Sequence, residues 1–224
     1  MKNWIPALLA LTFAPACIIV VSDDGVETLR SRDLASTPTR TEVRTVAEFH
    51  ALELRGAARV DVRVGEAQSV VVTAEEALLP FLKTEVRDGT LVLDRAPGAP
   101  TTRKTVQITV TAPTLDAAVL LGSGDVRLSN VKGASFRAAI TGSGDVTAVG
   151  AVDELVVDVD GSGEARLAGL AAKDVKVRLS GSGDARVTAS EALDVQLLGS
   201  GDVRYSGNPR LTQSVQGSGD VVRD

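Results

Sequence analysis

The sequence predicts an all-β protein: a parallel β-solenoid (β-helix) with coils of 18 to 20 residues and an irregular N-terminal cap segment. Two observations predict it. Gly-Ser-Gly followed by an acid returns six times, at Gly122, Gly142, Gly161, Gly181, Gly199 and Gly217, with spacings of 20, 19, 20, 18 and 18 residues. A period that short holds one supersecondary unit, which cannot bury its own apolar face and must stack on its neighbours. Between the returns, apolar residues alternate with polar ones, as in Phe136, Ala138, Ile140 and Val175, Val177, Leu179. Period two with β-branched residues means strands with one buried face. A meander of antiparallel hairpins is the competing arrangement, but it gives no reason for one corner to recur once per two strands.

The chain opens on Met1-Lys2-Asn3-Trp4, an apolar run from Ile5 to Ala14, and Ala14-Pro15-Ala16 before Cys17, its single cysteine. That is the layout of an export signal over residues 1–16. Ala14-x-Ala16 suits ordinary signal peptidase. A small residue directly before the cysteine resembles a bacterial lipoprotein signal with Cys17 as the lipid attachment residue, although Ala14 stands where such signals usually carry Leu. A lone thiol makes no internal disulfide, and Ile5 to Val21 is short for a bilayer crossing. Residues 17–44 read as a lipid-anchored flexible linker, because Ser22 to Arg44 is polar, carries Pro38 and lacks alternation. Losing Lys2 with the leader takes the formal charge from −5 to −6. Such mild acidity gives no basic footprint for nucleic acid.

Residues 45–224 read as a single domain, of which 45–113 form the irregular cap or early coils. Alternation marks strands at Val60-Asp61-Val62-Arg63-Val64, at Ser69 to Thr73 and at Thr105 to Thr111. The stretch from Ala74 to Leu82 predicts a short helix or helical turn. Asp88-Gly89, set between Val86-Arg87 and Thr90-Leu91-Val92-Leu93, is a strong hairpin signal.

Residues 114–224 hold the repeats. Each unit has two short strands and two corners, the second of them looser, as in Ser129-Asn130-Val131-Lys132-Gly133 and Ser206-Gly207-Asn208-Pro209. Val126, Ile140, Val157, Leu179, Val195 and Val203 are expected inward, with the acids outward. With 44% hydrophobic residues but only 3% aromatic, the core must be built from Val, Leu and Ala, which suits a thin interior.

Several of these segments together carry a resemblance. Phe49-x-Ala51-Leu52, Asp88-Gly89-Thr90-Leu91, Val106 to Pro113 followed by Leu115, the serial Gly-Ser-Gly-Asp and the closing Val203-Arg204-Tyr205-Ser206-Gly207-Asn208-Pro209 resemble bacterial head-GIN-domain proteins, the auto-transporter adhesin family. The similarity covers about Thr45 to the C-terminus. It implies a β-solenoid on an exported, often lipid-anchored protein, and it brings no catalytic residues with it.

A stacked solenoid would place Asp125, Asp145, Glu164, Asp184, Asp202 and Asp220 in one column. Unit charges ~4.8 Å apart repel by about 1 kcal/mol even in water, so something must offset the column. Calcium is one answer, but it wants six to eight oxygens, and calcium-binding solenoids place a Gly-Asp corner every nine residues rather than once per coil. Arginine is the better answer. Arg127, Arg166, Arg186 and Arg204 stand two residues after four of the acids and reach diagonally to neighbouring coils, giving a mixed-sign surface ladder. No metal site and no cofactor is expected: His50 is the only histidine, and Gly-Ser-Gly is not the strand-to-helix elbow of a nucleophilic serine. The functional expectation is a non-enzymatic cell-envelope lipoprotein, an adhesin or scaffold, on the periplasmic or surface side, meeting an envelope protein or glycan. The alternative is a solenoid hydrolase or lyase acting on envelope polysaccharide. Val221-Val222-Arg223-Asp224 offers an open edge for self-association through the C-terminal coil.

Overall fold

The computed structural model describes residues 17–22, 25–30, 38–102 and 104–224. The predicted export signal, 1–16, lies outside the described residues. β1 (Cys17–Ser22) and β2 (Gly25–Arg30) form a two-stranded antiparallel ladder of their own.

The repeats fold as long strands that bend rather than as pairs of separate short ones. β11 (Asp125–Gly142), β12 (Asp145–Gly161), β13 (Glu164–Gly181) and β14 (Asp184–Gly199) each run around most of one coil. Each starts on one wall, turns, and finishes on the opposite wall. The looser corner is where each strand bends, and the parallel ladder survives it with a register slip, for example between Leu128 and Val131. A slip of this kind is a β-bulge, which bends a strand without ending it. The expectation of two strands per unit is corrected to that extent. At the first bend Asn130 adopts a left-handed backbone, φ 64°, and its Nδ2 donates to the Val64 carbonyl at 2.8 Å.

The Gly-Ser-Gly corners stack in register, Gly122 on Gly142, Gly142 on Gly161, Gly161 on Gly181 and Gly181 on Gly199. The two glycines of a corner are needed for different reasons. The first has positive φ, +118° at Gly181, which L side chains rarely adopt. The second has ordinary φ, but a Cβ there would overlap the carbonyl oxygen of the corner below, as at Gly183 over Gly163. Each first-glycine carbonyl accepts from the next coil, Ser182 N–H to Gly161 at 2.9 Å and Gly183 N–H to the same oxygen at 3.0 Å. The corner therefore permits main-chain contact from coil to coil.

Ahead of the repeats the chain leaves the stack and comes back. β4 (Ala51–Gly56) and β5 (Ala58–Val64) make a coil that lies directly below β10 (Ala117–Gly122) and the start of β11. Below β4 sits β8 (Thr90–Arg95), and below β5 sits β9 (Val106–Ala112), both parallel. The level beneath runs in reverse: β6 (Ser69–Glu75) is antiparallel to β9, and β7 (Leu82–Arg87) is antiparallel to β8 across the Asp88-Gly89 hairpin. β3 (Thr39–Arg44) pairs antiparallel with β6 as the outermost strand of that wall. Reversing the strand direction closes the front end, as an irregular cap was expected to do.

Two expectations change here. The linker expected over residues 17–44 includes β1 and β2, which pair with each other, and β3, whose six residues are mostly exposed. An edge strand without a buried face shows no apolar alternation, so its composition imitates a linker. The helix expected from Ala74 to Leu82 is reduced to a single 3-10 turn, Leu79–Phe81, because Ala74 and Glu75 complete β6. At the other end β15 (Val203–Gly207), β16 (Arg210–Gly217) and β17 (Val221–Arg223) finish the stack, β16 on β14 and β17 on β15.

The interior is one continuous column. Val126, Ile140, Val157, Leu179, Val195 and Val203 are all at most 2% exposed, as the alternation requires. Among the described residues Phe136 is the largest fully buried side chain. Val177 sits mid-stack at 2% exposure between parallel neighbours Val157 and Val195. Val177→Asp should lower stability by more than about 4 kcal/mol, since an unpaired carboxylate would enter a space without polar partners. Chemical denaturation of the full chain would show this as loss of the cooperative transition or a large fall in its midpoint.

Candidate functional site

The ladder of acids and arginines is built by the corners. Because the first residue after each Gly-Ser-Gly begins the next wall in register, Asp125, Asp145, Glu164 and Asp184 are direct cross-strand neighbours. All four carboxylates are half-buried. Two residues on, Arg127, Thr147, Arg166, Arg186, Arg204 and Val222 make the adjacent column.

Main-chain N–H groups occupy part of this ladder, a use not expected from the sequence. The Glu164 N–H donates to Asp145 Oδ1 at 3.2 Å, the Asp202 N–H to Asp184 Oδ1 at 2.9 Å, and the Asp220 N–H to Asp202 Oδ1 at 3.0 Å. Each of these aspartates takes up the N–H of the acid one coil above, just past the corner. At these three rungs a short acid serves the backbone, whereas the Asp145 N–H goes to the Gly124 carbonyl at 3.1 Å.

The arginines complete the offset. Arg166 bridges Asp145 at 3.2 Å and Glu164 at 2.7 Å, and Arg186 reaches down one coil to Glu164 at 2.9 Å. Arg127 lies 4.0 Å from Asp125. These include the diagonal pairs expected from the spacing. Arg204 makes no ion pair among the described residues. The Arg166 hydrogen bond, followed by the charges of Arg166 and Arg186 and opposed by partial burial, holds the Glu164 carboxyl below the ordinary glutamate value, and Glu164 raises Arg166 in return.

One rung of the ladder was missed in the sequence. Gly56-Ala57-Ala58-Arg59 is a degenerate corner: Gly56 stacks under Gly122, and Arg59 and Asp61 align with Asp125 and Arg127. The signs are swapped relative to the coil above, and Arg59 meets Asp125 at 3.4 Å. The signal that could have found it is Gly56 followed by Val60-x-Val62 with charges at the two outward positions.

The opposite wall carries a second set of pairs. Arg137 meets Asp158 at 2.8 Å and Lys176 meets Glu154 at 2.7 Å, both between coils. Beside them lies a groove of about 410 Å³ whose polar lining includes Glu154, Asp174, Lys176, Asp194, Arg210 and Thr212. His50 is exposed at the start of the front coil, its Nδ1 3.4 Å from Asp116 Oδ2. Among the described residues no three His, Cys, Asp or Glu side chains gather as a metal-ligating group. Chemically the walls offer hydrogen bonds and ion pairs in a fixed register. Cys17 is the first residue of β1.

Residues 48–209 match the family model described as "Putative auto-transporter adhesin, head GIN domain". The chain belongs to this family. No curated protein matches the sequence. A putative adhesin from Bacteroides fragilis superposes on the head-GIN chain with a TM-score of 0.69 at 22% identity, covering 85% of this chain and 99% of the other. A putative adhesin from Parabacteroides merdae gives 0.54 at 16% identity, with 85% and 98% covered. A putative lipid binding protein from Parabacteroides distasonis gives 0.53 at 22%, with the same coverage. At these identities the likeness is one of fold.

Two outcomes test the ladder. Asp184→Ala should cost about 1–2 kcal/mol because the Asp202 N–H loses its acceptor, while Asp184→Asn, whose amide oxygen still accepts, should cost distinctly less. Equal losses in denaturant melts would show charge, and not the N–H bond, to be what matters. Glu164 gives the pH test. Its carboxyl is depressed in the folded state, so its contribution is present above the ordinary glutamate range and is lost as pH falls through the depressed value. The stability difference between the native chain and Glu164→Gln should therefore be about 0.2–1 kcal/mol near neutrality and shrink toward zero in acid.

Proposed function

We propose that the head-GIN chain is a non-enzymatic adhesion or scaffolding module of the bacterial cell envelope, exported by residues 1–16 and anchored by lipid on Cys17. The observation that carries the adhesive reading is the family match over 48–209, which spans nearly the whole solenoid. The lipid anchor rests on Ala16-Cys17 following the apolar run. The regular walls supply the surface: side chains at two-residue intervals along a strand and ~4.8 Å between coils form a rigid polar lattice. Asp145, Glu164, Arg166 and Arg186 are largely engaged with one another, so we assign the ligand-facing part to the groove beside Asp174 and Asp194, where Lys176 is held by Glu154. Its mixed charges fit a polar glycan or a protein loop of the envelope.

A binding screen against envelope glycans and envelope proteins tests the reading, run on the full chain beside Asp174→Asn/Asp194→Asn and Arg166→Ser/Arg186→Ser/Arg204→Ser. Binding weakened at least tenfold in the groove variant with unchanged melting supports it. Binding lost only in the arginine variant, with unchanged melting, moves the site to the ladder. Hydrolysis of any glycan overturns the non-enzymatic reading. Mass spectrometry of the mature N-terminus should find Cys17 first and acylated, whereas an unmodified thiol removes the anchor.

A further inference from the structure

The two ends of the solenoid are treated differently by the sequence. At the front, the outermost strands carry charges at alternate positions: Arg40, Glu42 and Arg44 on β3, and Lys83, Glu85 and Arg87 on β7. Charges of this kind are a common guard against edge-to-edge pairing. At the back, β16 presents eight exposed residues, Arg210-Leu211-Thr212-Gln213-Ser214-Val215-Gln216-Gly217, with a single charge at its first position. Among the described residues no strand or loop covers its free side. Its neighbour β17 is three residues long and carries Arg223 beside Asp224, so that edge is blunted while β16 is not.

The side chains of β16 carry the second observation. Register with β14 places Leu211, Gln213 and Val215 over Leu193, Val195 and Leu197, which are at most 1% exposed. These three positions belong to the inward column, yet Leu211 is 36% and Val215 40% exposed. Gln213 is the polar member of a column that otherwise runs Ala118, Ala138, Val157, Val177, Val195.

We infer that β16 pairs antiparallel with β16 of a second copy about a two-fold axis through Gln213. Residues directly opposite in an antiparallel pair point to the same face, so only a register centred on a residue keeps inward side chains together. Centring on Gln213 uses almost the whole strand: Leu211 meets the partner copy's Val215, Thr212 meets Ser214, and Gln213 meets itself. The two apolar contacts then join the β16 walls of the two solenoids, while β17 and Asp224 stand one level further out on each opposite wall. Two primary amides facing one another satisfy each other's donor and acceptor, which gives the polar residue in the column a partner. The cross-section covered is about 27 Å of strand by roughly 15 Å of sandwich, on the order of 400 Å² per copy, so the pairing is weak and concentration-dependent. One wall holds ten strands counting β3 and β17, so nine spacings of ~4.8 Å put the joint roughly 43 Å from the end at which the chain enters the stack. The two tethers would leave from opposite ends of the doubled rod.

Arg210 and Thr212 of β16 also line the groove, so the pairing is tested without any ligand, by oligomeric state. Sedimentation of the full chain in detergent should show a monomer–dimer equilibrium at micromolar concentrations, shifted at least tenfold toward monomer by Leu211→Lys/Val215→Lys, whose positions are already exposed enough for the fold to survive. In a Cys17→Ser background, Gln213→Cys should form a disulfide-linked dimer on mild oxidation, because directly paired residues lie within disulfide reach. Gln216→Cys should not, since six residues of strand separate it from its copy. A chain that stays monomeric to about 100 µM, a dimer indifferent to the lysines, or cross-linking at 216 in place of 213 each overturns the pairing.

Discussion

Everything in this molecule hangs on main-chain contact at one corner. The stack requires each coil to sit at strand spacing on the one below, and at the Gly-Ser-Gly turn the backbone of one coil rests against a carbonyl of its neighbour. Gly142, Gly161, Gly181 and Gly199 have positive φ, and their carbonyls take N–H groups from the coil above. The second glycines leave no room for a Cβ. With the corner fixed, the residue that follows always starts its wall at the same height, so inward positions fall over inward positions and the core becomes a column. A coil of about 19 residues cannot close a core alone. Its stability comes from its neighbours, and register at the corner determines whether their apolar faces meet.

The same constraint explains the acids. Just beyond the turn, N–H groups of Glu164, Asp202 and Asp220 point to the coil below, where the preceding acid's carboxylate receives them. Stacking these groups creates a charge column that water alone would leave repulsive. Arg166 and Arg186 reach back across the coils to offset it at Asp145 and Glu164, and Arg59 offsets it at Asp125 from the front. The charged ladder is thus a consequence of solving the backbone at the corner. Its side chains are then partly spent on one another, whereas the opposite wall carries its pairs beside a groove.

The repeats were legible because they are periodic: corner spacing, strand alternation and the outward arginines are all one-dimensional patterns. Three features were not. The Gly56 corner lacks both Ser and acid, and its register partner Gly122 lies a long way along the chain. The excursion through β6 to β9 inserts two levels below a coil already begun, and chain order carries no mark of that order in space. β3 hides as linker because an edge strand buries nothing. The hairpin at Asp88-Gly89 was read correctly for the converse reason: positive φ at both residues, 49° and 73°, is a local demand that the local sequence must meet.

A solenoid has two ends, and a repeat sequence by itself would make them equally sticky. Here the front is closed by reversing chain direction and by charging the outer strands, whereas β16 keeps the hydrogen-bonding edge and the apolar inward positions of an interior level. Retaining Gln213 in that inward column is not a general device for solubility, since Leu211 and Val215 on either side remain apolar and partly exposed. A single central polar residue flanked by apolar ones favours a register in which it meets an equivalent amide, much as one buried polar residue fixes register in a coiled coil. The edge that the repeats generate by default is thereby narrowed from a general tendency to add strands toward one preferred alignment with one kind of partner.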